Sequence, residues 1–484
     1  MRLGTLIAEA GIDQGDSRLV GDGATDVAAI SLYSRAVRPG TLFVCVVGAH
    51  HDGHEFAAAA VTDGAVAIMA ERVLDVAVPQ VIVASTRAAV GPLADAFWGH
   101  PSRSGLRVVG VTGTNGKTTT CALVEAILEA HGWRTSALGT LTQARTTPEA
   151  PELQAKLAEW RDRGGSAVAM EVSSHALDQR RADAVHFAAG VLTNVTQDHL
   201  DYHRTMDAYF EAKARLFEPG RVEIAVINRG DPWGRTLIER LGADRQPVET
   251  FAIEDAHGLE LAPAGSRFGW QGQQVQLNLG GRFNVENALA AATTARALGV
   301  PAETIAAGLG SVARVAGRFE SVDAGQPFTV LVDYAHTPDG LDKALRSARE
   351  LTAGRLIVVF GAGGDRDHEK RPLMGAVTAR LADLSVVTSD NPRSEDPEAI
   401  IAAVVGGAPS KDRLVVEADR AAAIATAVAA AGPGDVVVVA GKGHETGQDI
   451  GGRILPFDDV AIARTALERI LRSRQEGNSI EGGR

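Results

Sequence analysis

Short apolar runs of four to six residues recur along this 484-residue chain, most of them ending in a polar or glycine-rich cluster. Leu42–Val47, Ala65–Met69 and Val81–Ala84 come first. Leu106–Val111, Ala167–Val172, Gly190–Val195 and Ile224–Asn228 follow, and Phe328–Val332, Leu356–Phe360, Leu384–Thr388 and Val436–Ala440 come last. Continuous apolar runs this short, bounded by turn residues, read as strands buried on both faces. Between them lie Ala-rich segments with helical spacing. Thr118–His131 carries Leu123, Ile127 and Leu128 at that spacing, with Gly132 as the stop. Strands alternating with helices predict an α/β protein with mostly parallel sheets.

Composition shifts divide this pattern into three blocks. The polar stretch Gly99–Gly105 closes the first, and Gly317-Arg318 opens the third. The predicted domains are therefore 1–102, 103–316 and 317–484. The tail Ser473–Arg484 is polar and glycine-containing and is predicted to lack structure.

Charge and cysteine content narrow the functional classes. The net charge is −12 and no basic stretch stands out, which argues against nucleic acid as the main partner. The opening apolar run breaks at Glu9, and no stretch approaches 18 apolar residues, so neither a signal peptide nor a membrane span is expected. Cys45 and Cys121 both lie in apolar segments and read as small core residues rather than a disulfide. A cytoplasmic protein fits these features.

Residues Gly110–Thr120 (GVTGTNGKTTT) join the Leu106–Val111 run to the helical segment. Strand, glycine loop and helix in that order form a phosphate cradle. Backbone N–H groups and the positive end of the helix face the anion, Lys117 adds a charge, and the Thr118 hydroxyl can reach a magnesium ion. The usable glycines are Gly113 and Gly116, a shorter spacing than the usual phosphate loop. A nucleoside triphosphate is the expected ligand.

Polar clusters follow the other runs. Met170–His175 (MEVSSH) and Thr193–His203 (TNVTQDHLDYH) place Glu171 and His199 at strand ends. Both suit magnesium, which takes one or two protein ligands and keeps its waters. A hydrogen-bonded helix-start residue is the alternative for His199. Thr146-Thr147-Pro148 is a turn with two hydroxyls, and Glu211–Phe217 is a helical segment in which Lys213 by itself is an ordinary amphipathic-helix lysine. Gly281–Asn287 places Asn284 and Asn287 on one turn, suited either to an adenine edge or, for Asn284, to capping. In the third block four clusters follow four runs: Asp333–His336, Gly361–Arg371, Asp390–Arg393 and Gly441–Glu445. Ligands of open parallel sheets bind beyond the carboxyl ends of the strands, so these loops converge on one site.

Together these segments resemble the Mur ligases, ATP-dependent amide-forming enzymes of peptidoglycan precursor synthesis. The motifs GTNGKTTT, TTPE, MEVSSHAL, TNVTQDHLDYH, GRFNVEN, VDYAHTPDGL, GGDRDHEKRPLMG, SDNPRSEDP and GKGHETGQ occur in family order over the whole chain. They are most similar to the branch that adds the third residue of the stem peptide. The resemblance implies three domains: a UDP-sugar-binding domain, a central P-loop ATP-binding domain with a mostly parallel sheet, and a Rossmann-like C-terminal domain for the amino acid. It implies ATP as co-substrate, Mg2+ as cofactor, a UDP-muramoyl dipeptide and meso-diaminopimelate as substrates, and a monomer. An L-lysine-adding ligase is the closest alternative, and a non-catalytic nucleotide-binding regulatory module a remote one.

Site residues carry over by position. Gly113, Thr114, Asn115, Gly116, Lys117 and Thr118 would hold ATP phosphates, with Asn284, Asn287, Arg318 and Asp333 around adenine and ribose. Leu32, Ser34, Ala49, His50 and His51 would contact the UDP moiety. Thr146, Thr147, Ser173, Gln179 and Arg181 would bind the rest of the UDP-muramoyl dipeptide. Lys213 matches a lysine that the family carbamylates, making it a metal ligand beside His199, with Thr118 and Glu171 as further ligands. Lys117, Lys213 and His199 form the implied catalytic group. Arg366, Asp390, Asn391, Pro392, Arg393, Gly441 and Glu445 would hold the incoming amino acid. Lysine-adding relatives generally lack the arginine found here at 393. Two departures concern uridine: Leu32-Tyr33-Ser34-Arg35 stands where the family usually has Leu-Asp-Ser-Arg, and Gly48-Ala49 where it often has Gly-His.

Overall fold

A computed structural model describes residues 1–12, 17–48, 51–143, 145–243 and 245–481, the last nine as backbone only. Its strands gather into three large sheets. The first runs in the order Arg18–Val20, Gln80–Ile82, Ala65–Ala70, Thr41–Val44, Ala29–Ser31, parallel apart from its first pairing. The second is parallel throughout: Val248–Phe251, Val222–Asn228, Phe187–Leu192, Arg107–Thr112, Ala167–Glu171, Thr135–Leu138. The third runs Glu320–Ser321, Thr329–Asp333, Val436–Ala440, Leu356–Phe360, Leu384–Val387, Leu414–Val416, with the short first strand antiparallel.

The apolar runs become strands because both of their faces are covered. Leu356–Phe360 and Val436–Ala440 are buried at every position. The helix Lys117–Ala130 begins at Gly116 and buries Leu123, Val124, Ile127 and Leu128 against the helix Arg282–Ala297. Each such side chain contributes about 1.5–3 kcal/mol by leaving water. Cys45 and Cys121 are free and buried, as expected of core residues.

Several elements differ from the sequence reading. The run expected at Gly190–Val195 is the strand Phe187–Leu192. Of its last three residues, which lie beyond that strand, Thr193 and Asn194 clamp the phosphate loop, described below, and Val195 donates its N–H to Asp231. A three-stranded antiparallel sheet, His257–Ala262, Gly265–Trp270 and Gln273–Leu277, was not legible as such. Its apolar residues are few, yet Phe268, Trp270, Val275 and Leu277 all enter the central core. The tail is not without structure: the helix Asp459–Glu481 runs well past Ser473. Gly477 lies inside it, and one interior glycine costs a helix only about 1 kcal/mol.

Candidate active site

The phosphate loop is shaped by its two glycines. Gly113 has φ +148° and Gly116 φ +88°, a region that disfavours side chains. A Cβ at Gly113 would strike the Thr193 hydroxyl, and one at Gly116 the amide oxygen of Asn287. The loop is clamped from one side. Thr114 N–H donates to Asn194 O at 2.8 Å, Asn115 N–H to Asn194 Oδ1 at 3.1 Å, and the Thr193 hydroxyl to Asn115 O at 2.6 Å. The loop is thus held rigid, with the first turn of the helix Lys117–Ala130 opening beside it.

Two lysines converge on this loop. Lys117 Nζ donates to Gly113 O and Thr114 O, each at 2.8 Å. Lys213, on the helix Met206–Ala214 and 1% exposed, also donates to Gly113 O at 2.8 Å. Its ammonium lies 4.3 Å from the Tyr209 ring centre and has no carboxylate in ion-pair reach among the described residues. Burial, reinforced by the Lys117 charge, pushes its pKa well below the usual lysine range. Burial also lowers the pKa of Lys117, with Glu171 opposing.

His199 also lies beside Tyr209, ring centres 6.2 Å apart, and begins the short helix Leu200–His203 in a left-handed conformation. The helix-start alternative is thereby met in position, although the imidazole makes no cap hydrogen bond. Burial lowers its pKa to about 4, against the pull of Asp198, so the ring is neutral near pH 7 and able to donate a lone pair. Glu171, 2% exposed at the end of its strand, accepts from the Thr118 hydroxyl at 3.0 Å and from Thr140 N–H at 2.8 Å. Arg318 from the third unit donates to the same Thr118 hydroxyl at 3.0 Å.

The loop after Glu171 forms the next wall. Thr146 pairs with the Thr140 hydroxyl at 3.2 Å. Thr147 is fully buried: its hydroxyl donates to Glu171 O at 2.9 Å and accepts from Ser173 N–H at 3.1 Å. It shapes the wall rather than lining an opening. Ser173 caps the helix Ser174–Asp178 through Ala176 N–H, so its hydroxyl too is used locally. Gln179 accepts from Arg181, which donates to Thr147 O at 3.1 Å and pairs with Glu149 at 3.1 Å.

Asn284 and Asn287 share the first turns of the helix Arg282–Ala297, but the cap is Gly281, not Asn284. Asn284 Nδ2 donates to Gly280 O at 2.9 Å, and Asn287 donates to Asn284 Oδ1 at 3.3 Å while abutting Gly116. Asp333 accepts from Phe319 N–H at 2.8 Å and Ala335 N–H at 2.9 Å, fixing the chain that delivers Arg318. Gly317 has φ +60° and is packed so closely on Gly443 and His444 that a Cβ would overlap their backbone.

The third unit touches the phosphate loop again through Asp339, a residue the sequence reading did not single out. Its Oδ2 accepts from Asn115 Nδ2 at 2.9 Å and from the Thr196 hydroxyl at 2.6 Å, with Lys343 at 3.1 Å. A carboxylate shared between two units holds the third against the loop. Asp339→Ala is expected to lower kcat about tenfold or more, since both hydrogen bonds to the carboxylate are lost, while KM for the nucleotide changes little. Steady-state kinetics check this, and an unchanged kcat would show that the contact is incidental.

At the carboxyl edge of the third sheet the four loops do meet. Tyr334 lies between the two halves of the site, under Arg318 at 4.5 Å from the ring centre and 5.0 Å from the His444 ring. Arg393, at φ +52°, donates to Gly364 O at 2.5 Å and sits 3.0 Å from where a Gly363 Cβ would lie, near Arg366. The acidic neighbour Glu395 is taken by Arg371 at 2.8 Å and His368 at 3.3 Å. Among the described residues no carboxylate pairs with Arg366 or Arg393. Pro392 O packs on Gly364, and Asp390 is buried behind Gly441, its carboxyl pKa raised by burial and opposed by Arg420 and Lys442. Asn391 donates to Glu445 Oε2 at 2.8 Å.

In the first unit, Leu32 and Ser34 flank Tyr33, with Ser34 opening the one-turn helix Ser34–Ala36. Tyr33 OH accepts from Arg145 of the central unit at 2.6 Å. His51 packs edge-on against Phe56 with ring centres 6.1 Å apart. Ala49 and His50 lie outside the described residues. Thr193, Asn194, Tyr209 and Lys442 complete the set that sequence reasoning missed. Position directly after a strand was the available signal for Asn194 and Lys442.

Residues 111–295 match the model of the Mur ligase middle domain, 317–443 that of the Mur ligase glutamate ligase domain, and 26–97 the Mur ligase family catalytic domain. The chain belongs to the Mur ligase family, whose members are ATP-dependent ligases. Among its relatives, the UDP-N-acetylmuramoyl-L-alanyl-D-glutamate–2,6-diaminopimelate ligase of Syntrophomonas wolfei is 44% identical over 96% of this chain and 99% of the relative. That of Streptomyces coelicolor is 45% identical over 93% and 94%. A solved structure of a ligase with the same name superposes with TM-score 0.68 at 31% identity, covering 97% of this chain and 99% of the other. The MurF ligase of Thermotoga maritima, solved with ADP, shares the fold at TM-score 0.62 and 20% identity, over 93% and 99%.

Proposed function

We propose that this chain joins meso-diaminopimelate to UDP-N-acetylmuramoyl-L-alanyl-D-glutamate with consumption of ATP, a step of peptidoglycan precursor synthesis in the cytoplasm. The units 1–102, 103–316 and 317–484 serve as the UDP-sugar, ATP and amino-acid domains of a monomer. The γ-phosphoryl group of ATP passes to the free carboxylate of the dipeptide, releasing ADP and giving an acyl phosphate. The amine of the amino acid then attacks the acyl carbon, loses a proton, and phosphate leaves.

The residues present suit this chemistry. Two anions must meet, and Lys117 with the helix terminus offsets their charge. Glu171 and the Thr118 hydroxyl, 3.0 Å apart, form the sparse oxygen set that Mg2+ favours. Bound there, Mg2+ neutralises phosphate charge. Lys213 is a buried amine whose lowered pKa favours the free base, the form that captures CO2 as a carbamate with loss of one proton. Its carbamate and His199, both beside Tyr209, would be the donors for a second ion. The dipeptide is held by Thr146 and Arg181, and uridine by the segment around Leu32, Ser34 and His51. Arg318 and Asp339 keep the third domain closed over the acyl phosphate, which excludes water.

The observation that carries the choice of amino acid is the pair of guanidiniums, Arg366 and Arg393, which have no carboxylate partner among the described residues. meso-Diaminopimelate brings two carboxylates and a distal ammonium, and guanidinium pairs with carboxylate bidentately. L-Lysine lacks the distal carboxylate. Arg393→Ala is accordingly expected to raise KM for meso-diaminopimelate about 100-fold, the worth of one desolvated charge-assisted pair, and to leave KM for ATP unchanged. The assay combines the UDP-linked dipeptide, ATP, Mg2+ and single amino acids. Product mass and phosphate release should appear with meso-diaminopimelate, and phosphate release without amino acid incorporation would refute the reading.

A further inference from the structure

Lys442 is 0% exposed, in the loop after the strand Val436–Ala440. An ammonium group without water is tolerated only where fixed acceptors replace it. Two do so here: Asn391 Oδ1 at 3.0 Å and Glu445 Oε2 at 3.1 Å. Asn391 closes the triangle by donating Nδ2 to the same Glu445 oxygen at 2.8 Å. The amide is itself fixed, since its Oδ1 also accepts the Asp449 N–H at 2.9 Å. Gln448 Nε2 ties the same loop to Asp390 O at 2.7 Å. Lys442 therefore joins the loop that carries Arg393 to the loop that carries Glu445.

The consequence falls on Glu445. Its side chain is 34% exposed, and both hydrogen bonds it accepts go to Oε2. Among the described residues Oε1 accepts none. A glutamate on a strand-end loop would otherwise sample several rotamers, and binding would have to order it each time. Here one oxygen is pinned from behind by an ammonium and an amide, and the second is left for a ligand. A second buried cation of this region does a different job. Arg420 donates to Asp459 at 2.8 and 2.7 Å and to Ala440 O at 3.0 Å, holding the strand end and not the acidic side chain.

We propose that Lys442 is a positioning residue for the amino-acid substrate, fixing Glu445 directly and through Asn391 so that the free carboxylate oxygen receives the distal ammonium of a diamino acid. This rests on the reading that the strand edge of the third domain holds the amino acid. It assigns the Asn391 amide to the framework of the pocket and leaves Arg366, Arg393 and Glu445 as the groups facing the substrate.

The test uses steady-state kinetics of the full-length enzyme with each of its three substrates varied in turn. Lys442→Met keeps the length of the side chain and removes the donor. It should raise KM for meso-diaminopimelate about tenfold or more, the scale of a lost buried hydrogen-bond network, with KM for ATP and for the UDP-linked dipeptide within about twofold. Lys442→Gln, which retains a donor, should recover part of that loss. It also decides the matter by the same criterion if the methionine variant does not fold. Glu445→Gln is the control for the pocket itself. If it raises KM for the amino acid while neither Lys442 variant does, the positioning role is overturned and the pocket stands. Equal rises in all three KM values for the Lys442 variants would overturn it too, marking a merely structural lysine. If Glu445→Gln also leaves KM unchanged, the pocket reading fails and takes the inference with it.

Discussion

Replacing Lys213 with alanine is expected to lower kcat by about 10³-fold or more, the scale of removing a preorganised charge from a transition state that transfers phosphoryl groups. The expectation follows from an environment that makes no sense for a structural lysine. Its side chain shares one carbonyl, Gly113 O, with Lys117, and among the described residues no carboxylate lies in ion-pair reach of it. Burial in that setting shifts the amine toward its neutral form, and the free base reacts with CO2 where an ammonium cannot. The fold should survive, because alanine loses some packing but also removes a poorly solvated amine. Short carboxylates added to the Lys213→Ala variant should restore part of the activity by standing in for the carbamate. Labelled bicarbonate should give a carbamate carbon resonance in the wild-type enzyme and none in the variant. An active, metal-loaded wild-type enzyme with a free Lys213 amine would remove this part of the mechanism.

Lys117→Ala is the second large effect. Turnover should fall by about 10³-fold or more for the loss of a phosphate-facing charge, whereas melting temperature should shift by no more than a few degrees. Of the two residues whose carbonyls Lys117 meets, Gly113 and Thr114, the second is already held by Asn194 and Thr196, and the next residue, Asn115, by Thr193 and Asn194. The lysine is therefore not what holds the loop. Calorimetry beside single-turnover phosphate release separates the two quantities. Near-normal turnover in a folded variant would mean that ATP binds elsewhere.

Much of the framework could be read from the sequence because the strands are buried on both faces. A run such as Val436–Ala440 has no other stable place than the middle of a covered parallel sheet, and its bounds are those expected. Glycine loops were equally legible, since Gly113 and Gly116 adopt conformations that few other residues tolerate. Segments whose meaning depends on distant partners were harder. Phe268 and Trp270 belong to a core assembled with helices far along the chain, and the polar residues between them mask the strand. Thr193–Val195 reads as the end of a strand, yet it lies beyond it, and Thr193 and Asn194 hold the phosphate loop from the side.

The candidate site shows the same division. Residue type and position after a strand identified Glu171, Arg393 and Glu445, but could not tell a side chain that faces the opening from one spent inside the protein. Thr147 and Asn391 prove to be internal, with their polar atoms tied to backbone or to neighbouring side chains. Asp339 and Lys442 went unnoticed because a single acid on a helix and a single lysine in a glycine loop carry no pattern. Their significance appears only when Asn115 and Glu445 are found opposite them.

The central claim is that the third domain selects a diamino acid bearing a distal carboxylate. Arg393 would face an empty position with L-lysine, and an unpaired charge in a closed site discriminates strongly, by about 10³-fold or more. The most direct measurement is kcat/KM of the wild-type enzyme for meso-diaminopimelate and for L-lysine, with ATP and the UDP-linked dipeptide saturating. A ratio of about 10³ or more in favour of meso-diaminopimelate is the result expected from unpaired Arg366 and Arg393. Equal or better use of L-lysine would contradict it.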